Sequence, residues 1–256
     1  MTGSQAEFAA GALTLAIDGQ VATVTLTRPE RRNALTPAVW HGLAAIGAEL
    51  PDEVRVVVVR GDGPSFCAGI DLKVLAGGAD GESVARPDDA DFEERVAGYQ
   101  AGYLWLSDPS IVSIAAVQGH AIGAGFQLAL ACDLRILAED AKLCMKEPAL
   151  GLVPDLTGTK PLVDIVGLPR AIELCLTTRT VNAAEALLLR LAELVVPNSE
   201  LDAAVADLVA ALLATDAAAA RATKALLAQA QGNTREQQAA AERRAQAALL
   251  RSRVAR

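Results

Sequence analysis

The stretch Val112-Ser113-Ile114-Ala115-Ala116-Val117-Gln118-Gly119-His120-Ala121-Ile122-Gly123-Ala124-Gly125-Phe126 is the decisive one. It reads as an apolar strand, a turn with three glycines, and then a helical run at Gln127–Cys132. Glycine permits unusual backbone angles and the close approach of a ligand. A helix start offers unpaired N–H groups and partial positive charge, which suits a developing anion. By itself the turn fits either a dinucleotide-binding loop or tight strand–helix packing. Its spacing, G-x-x-x-G-x-G, reverses the G-x-G-x-x-G of dinucleotide folds, and it lies mid-chain rather than in the first βα turn. Both points count against a nicotinamide enzyme. The chain has neither a G-x-x-x-x-G-K-S/T phosphate loop nor a G-x-S-x-G nucleophile elbow.

A second glycine-bearing turn, Arg60-Gly61-Asp62-Gly63-Pro64-Ser65-Phe66-Cys67-Ala68-Gly69-Ile70-Asp71, follows a continuous β-branched run at Val54–Arg60. Such a run is expected of a strand covered on both faces. Upstream, Leu13–Ile17 and Val21–Thr27 flank Asp18-Gly19, a hairpin signal. Thr36-Pro37 predicts a helix start, with the helix running to about Leu50. Leu134–Leu137 adds a further strand, and strands separated by helices predict a mostly parallel α/β sheet. From Leu156 onward, segments at 169–178, 182–191, 199–214, 216–230 and 234–253 are rich in Ala, Leu and Arg and predict helices. The chain thus divides into an α/β core, 1–155, and a helical C-terminal region, 156–256, with a boundary near Asp155–Val166. Between Lys73 and Gln100 a Gly-, Asp- and Glu-rich stretch predicts a long loop, either a mobile lid or a solvated insertion.

With 52% hydrophobic but 3% aromatic residues, the core must be built mainly from Ala, Leu, Val and Ile. A net charge of −8 argues against nucleic acid and anionic membrane as partners. No apolar run reaches the roughly 18–20 residues of a membrane span, and the N-terminal MTGSQAEF lacks the pattern of a secretory signal. A soluble, cytoplasmic protein is expected. Cys67, Cys132, Cys144 and Cys175 form no C-x-x-C pair, and His41 and His120 are the only histidines. Reduced, mostly buried thiols are therefore expected, with no metal.

Arg28-Pro29-Glu30-Arg31-Arg32-Asn33-Ala34-Leu35, the segment Ser65–Asp71 and the segment Ala116–Asp133, in this order and separation, resemble the enoyl-CoA hydratase/isomerase (crotonase) family. The similarity continues through Ala141–Gly167 and covers roughly residues 12–200. The resemblance implies a crotonase (ClpP-like) fold of repeated ββα units. It also implies an acyl-CoA substrate, with coenzyme A entering as part of the substrate and no permanently bound cofactor. The thioester carbonyl is expected between the backbone N–H groups of Ile70 and Ala124, the latter standing where the family usually has glycine. Of the two glutamates of family hydratases, the first falls on Gln127, which orients but exchanges no proton. The second falls on Glu147. Asp155 stands where the family's dienoyl-CoA isomerases pair an aspartate with that glutamate, although it also fits a cap for a helix starting near Leu156.

The resemblance places coenzyme A against Arg28, Arg31, Ala68, Asp71, Leu72 and Lys73, with Arg32 a further candidate. Double-bond isomerisation is favoured over hydration, and a non-catalytic acyl-CoA binder is the competing class. A homotrimer or hexamer (a dimer of trimers) is expected, with the helical region serving trimerisation. Relatives carry an aromatic-basic motif in a last helix, and this chain has no Phe or Tyr after Phe126. On that comparison the final helix should be shortened or absent.

Overall fold

The computed structural model describes residues 4–75 and 91–254. Strands β1 (Ser4–Phe8), β2 (Leu13–Asp18) and β3 (Val21–Leu26) form an antiparallel meander. Gly19, at φ +56°, turns β2 into β3 where the hairpin is predicted. Along β3 alternate side chains (Ala22, Val24, Leu26) are buried, the period of a strand with one face in the core. Helix α1 (Pro37–Glu49) starts with proline in its first turn; Thr36 occupies the cap position, but its side chain makes no cap bond.

From β3 the sheet continues in parallel through β4 (Val56–Gly61) and β5 (Val112–Val117). After β6 (His120–Ile122) the chain re-enters the large sheet as β7 (Leu134–Ala138) and leaves it again as β8 (Lys142–Cys144). Strand β9 (Val181–Asn182) joins β6 and β8 in a small sheet, and β10 (Leu194–Val196) closes the large one, ordered β1-β2-β3-β4-β5-β7-β10. Strands β5 and β7 are each followed by a short second strand (β6, β8) and then a helix, the repeated ββα unit. Residues 181–182 and 194–196 lie inside the segment read as helical. Two or three extended residues carry too little periodicity to register in a sequence.

The remaining helices are α2 (Leu72–Leu75), α3 (Phe92–Leu104), α4 (Ala124–Ala131), α5 (Thr159–Val166), α6 (Leu168–Thr177), α7 (Ala183–Leu188), α8 (Leu201–Leu213), α9 (Ala217–Ala230) and α10 (Arg235–Val254). The lid or insertion expected between Lys73 and Gln100 falls largely on 76–90, outside the described residues. Its C-terminal part, from Phe92, is helix α3 rather than loop. The acidic composition before Phe92 masks an apolar stripe at Phe92, Val96, Tyr99 and Tyr103, which has helical spacing. The final helix is not absent: α10 runs from Arg235 to Val254, where the composition at 234–253 predicts a helix. Thr234 and Gln237 start it with reciprocal side-chain–backbone bonds of 3.2 and 2.8 Å, a capping box that needs no aromatic motif.

The large sheet is covered on both faces, as the β-branched run at 54–60 predicts. On one face Val57, Val59, Ala115, Val117 and Leu137 pack with Trp40, Leu43, Phe66 and Phe126. On the other, Val56, Val58, Ile114 and Ile136 pack under Leu201 and Val205 of α8. The first cluster runs without a break from Leu13 to Ala192, so residues 156–192 share the core of the α/β part. Among the described residues no single helix is long and apolar enough to cross a membrane. Cys67, Cys132 and Cys144 are buried free thiols and Cys175 is half-buried.

Candidate active site

The two glycine turns lie against each other. Cys67 N–H donates to His120 O at 2.7 Å, Ile122 N–H donates to Cys67 O at 3.0 Å, and Phe66 N–H donates to Gln118 O at 2.8 Å. So close an approach requires glycine. A Cβ on Gly125 would lie 2.4 Å from Cys67 O, and one on Gly69, which has φ +90°, would lie 2.6 Å from Ile122 O.

This packing sets two amides side by side. Leu35 forms a parallel bridge with Ile70, Leu35 N–H donating to Gly69 O at 2.7 Å and Asp71 N–H donating to Leu35 O at 2.9 Å. In a parallel bridge those bonds go to the neighbours of Ile70, so Ile70's own N–H faces the other way. Ala124 is the first residue of α4, and the opening N–H groups of a helix have no partner within it. Among the described residues neither N–H makes a hydrogen bond. A Cβ on Gly69, the residue bonded to Ile70 N, would lie 3.7 Å from Ala124 N. Two unpaired amides therefore sit on adjoining segments, and both residues line a cavity of about 950 Å³.

Glu147 enters this cavity from the turn after β8 and is 8% exposed. Its Oε1 accepts a 2.7 Å bond from Gln127 Nε2, while its Oε2 is buried without a partner. Burial pushes the carboxyl up; Glu147's own backbone N–H and the Gln127 amide pull it down, and the nearby charge of Asp155 adds to the rise. The net result lies above the ordinary glutamate value. Asp155 also lines the cavity and is likewise raised by burial. It caps no helix, because α5 begins at Thr159 with Gly158 before it. The bond that holds its backbone comes from Gln100 Nε2 to Asp155 O, at 2.7 Å. Gln127 is fully buried, and its amide oxygen accepts from Leu156 N–H at 2.9 Å and Gly158 N–H at 3.1 Å.

Of the residues expected to hold a nucleotide, Arg31, Ala68, Asp71, Leu72 and Lys73 line the cavity. Arg28 and Arg32 are not among its lining residues. The Arg28 guanidinium donates to Asp71 at 3.0 Å and to Ala34 O at 2.8 Å, bracing the two motifs. Burial pushes the Asp71 carboxyl up, but the Lys73 N–H and Arg28 more than offset this and hold it below the usual aspartate value. His120 bonds Ser65 Oγ at 3.0 Å, and His41 packs edge-on against Tyr99.

Sequence reasoning missed Lys146, a third cation on the cavity wall, and the apolar wall made by Trp40, Val96, Tyr99 and Leu156. It also missed Tyr103, whose hydroxyl donates to Ala124 O at 3.1 Å and receives Trp40 Nε1–H at 3.1 Å. The helical stripe of α3 was the available signal for Val96, Tyr99 and Tyr103. Among the described residues no three His, Cys, Asp or Glu side chains are grouped to hold a metal ion.

The profile of the enoyl-CoA hydratase/isomerase family matches residues 16–254. A Mycobacterium tuberculosis protein assigned as an enoyl-CoA hydratase is 34% identical over 187 residues, 72% of this chain and 68% of the other. Carnitinyl-CoA dehydratase of Proteus mirabilis is 39% identical over 194 residues, 74% of this chain and 69% of the other. A solved structure of a Thermobifida fusca protein assigned as an enoyl-CoA hydratase, in complex with acetoacetyl-CoA, aligns with TM-score 0.93 and 62% identity. That alignment covers 96% of this chain and 97% of the other. The same Thermobifida protein has also been solved in complex with CoA.

Proposed function

Because this chain belongs to the enoyl-CoA hydratase/isomerase family, we propose that it moves the double bond of an enoyl-CoA thioester. The observation that carries this preference is the unequal state of two side chains that line the cavity, Gln127 and Glu147. Where a hydratase would carry a second acid–base group stands Gln127, with its amide bonded on both sides. Glu147 keeps one oxygen without a partner.

In this reading the thioester oxygen accepts the Ile70 and Ala124 N–H groups, and negative charge gathers there as a proton leaves carbon. Loss of one such donor typically costs about 2.7–4 kcal/mol of transition-state stabilisation. A buried carboxyl with a raised pKa is suited to take a proton near neutrality and return it. Glu147 removes the proton next to the thioester of a 3-enoyl substrate, and the electrons shift to form the conjugated dienolate. A proton returned two carbons further on leaves the 2-enoyl product, with no net change in atoms. Asp155, on the same cavity, is the second proton carrier for the longer shift of a dienoyl substrate.

Arg31, Lys73 and Lys146 supply local positive charge for the phosphates of coenzyme A on a chain of net charge −8. The acetoacetyl-CoA and CoA complexes of the Thermobifida protein support that occupant. The assembly proposed is a homotrimer or a dimer of trimers, working in the cytoplasm. Exposed Leu176 and Leu188, on α6 and α7, suit an interface between copies.

Hydration of a 2-enoyl thioester is the second reading, favoured by relatives assigned as hydratases and by the carnitinyl-CoA dehydratase. An ultraviolet thioester assay with 3-enoyl-, 2-enoyl- and dienoyl-CoA, run beside Glu147→Gln, separates the two. Conjugation rising from the 3-enoyl substrate, and abolished in the variant, is the expected result. Loss of conjugation from 2-enoyl-CoA, with water added, moves hydration to first place. Binding without turnover of any substrate leaves an acyl-CoA-binding protein.

A further inference from the structure

We propose that Gln127 is a positioning residue that decides which oxygen of Glu147 carries the exchangeable proton, a role that rests on Glu147 being the acid–base group. Two backbone donors, Leu156 N–H at 2.9 Å and Gly158 N–H at 3.1 Å, converge on the Gln127 amide oxygen. A flipped amide would set its own N–H groups against both, so the orientation is fixed. Its Nε2–H must then point at Glu147 Oε1, 2.7 Å away. An oxygen that receives an N–H offers its lone pair to that bond, which leaves Oε2, the one without a partner, to carry the proton.

The site is shaped to this side chain. A Cβ on Gly158 would lie 2.6 Å from Gln127 Cγ. The same amide ties Glu147 to the turn that follows Asp155, so the two carboxyls hold a constant relation. The ionisable groups around Glu147 are Asp155 from that turn, Tyr103 from α3, Cys144 from β8, Cys175 from α6 and the adjoining Lys146. Gln127, which does not ionise, is the side chain that grips the carboxyl directly.

The test is the pH dependence of kcat/KM on the 3-enoyl substrate for wild type, Gln127→Glu, Gln127→Met and Glu147→Gln. Carbon-13 NMR titration of the Glu147 carboxyl without substrate accompanies it. Gln127→Glu keeps an acceptor for the Leu156 and Gly158 N–H groups but sets a second carboxyl against Oε1. Two carboxyls in contact share one proton, so the single acidic limb should split in two. Gln127→Met removes the donor that favours the ionised form, so the limb and the NMR midpoint should move up by about one pH unit. A wild-type limb and midpoint in both variants, with Glu147→Gln inactive, overturns the role of Gln127 alone. If Gln127→Met fails to fold, an unsplit limb in Gln127→Glu overturns it. Full activity in Glu147→Gln overturns the assignment of Glu147, and this proposal with it.

Discussion

The glycine turns and the C-terminal helical hairpin are held in opposite ways. At the turns, backbone meets backbone: Gly125 rests on Cys67 O and Gly69 on Ile122 O, with no room for a methyl group. In α9 no residue is fully buried, and the helix is fastened by the tips of long side chains. Lys224 Nζ reaches Asp108 O at 2.8 Å, Ile111 O at 2.7 Å and Asp133 at 2.6 Å, while Arg221 reaches Asp52 O at 2.7 Å. Where the proposed chemistry needs amides at fixed positions, the fold uses contacts with no room to adjust. Where it needs only attachment, it uses contacts that can.

The largest effect should come from Gly125→Ala. Its new methyl meets a carbonyl that is itself hydrogen-bonded, so the turns must separate at a cost of about 3 kcal/mol, the upper range for overpacking. Separation displaces the Ala124 N–H, and kcat should fall about 10²–10³-fold, as for a lost oxyanion donor. Thermal unfolding and steady-state kinetics read both, and a wild-type result in each would mean that the turns are as adaptable as the hairpin. Lys224→Met is the counterpart. Loss of its charged hydrogen bonds should cost about 1.5–3 kcal/mol in chemical denaturation, with kcat/KM unchanged. A fall in kcat/KM would tie the hairpin to the site.

The smallest effect contrasts the buried carboxyl of the cavity with the solvent-facing carboxyls of α6 and α7. The raised pKa of Glu147 means that its ionisation opposes folding. Its contribution is fully favourable below the unfolded value of about 4.3 and is lost as pH rises through the higher folded value. Glu147→Gln should therefore be more stable than wild type at pH 7–8, with the gain fading on acidification. No such crossover is expected from Glu173 and Glu185 on α6 and α7. Their carboxyls lie below the usual value, chiefly through hydrogen bonds to Arg179, and they face solvent, where pairing is worth little. Denaturation series at pH 4 and pH 8 check the sign.

Much of this was legible in the residues. The hairpin at Asp18-Gly19, the strands at 112–117 and 134–137, and α1 follow from period and turn chemistry, which are local. The glycines of both turns were visible as backbone signals. That Arg28 braces Asp71 instead of lining the cavity was not visible, since the pair is 43 residues apart in sequence. The acidic composition before Phe92 hid the start of α3, and the absence of an aromatic motif wrongly allowed that the last helix is absent, although the composition at 234–253 predicts it. Its capping box and helical composition were sufficient to form it.

The sequence alone determined the α/β class, the repeated strand–turn–helix units, the family resemblance and the carboxylate at Glu147, because each is written in neighbouring residues. Only the tertiary structure decided the state of the carboxylate. Burial, the grip of Gln127 from α4, the turn after Asp155 and the unpartnered Oε2 all arise where three separate segments meet. A hydrogen bond between residues twenty positions apart depends on the path of the chain between them, and that path is fixed by the packing of the whole core.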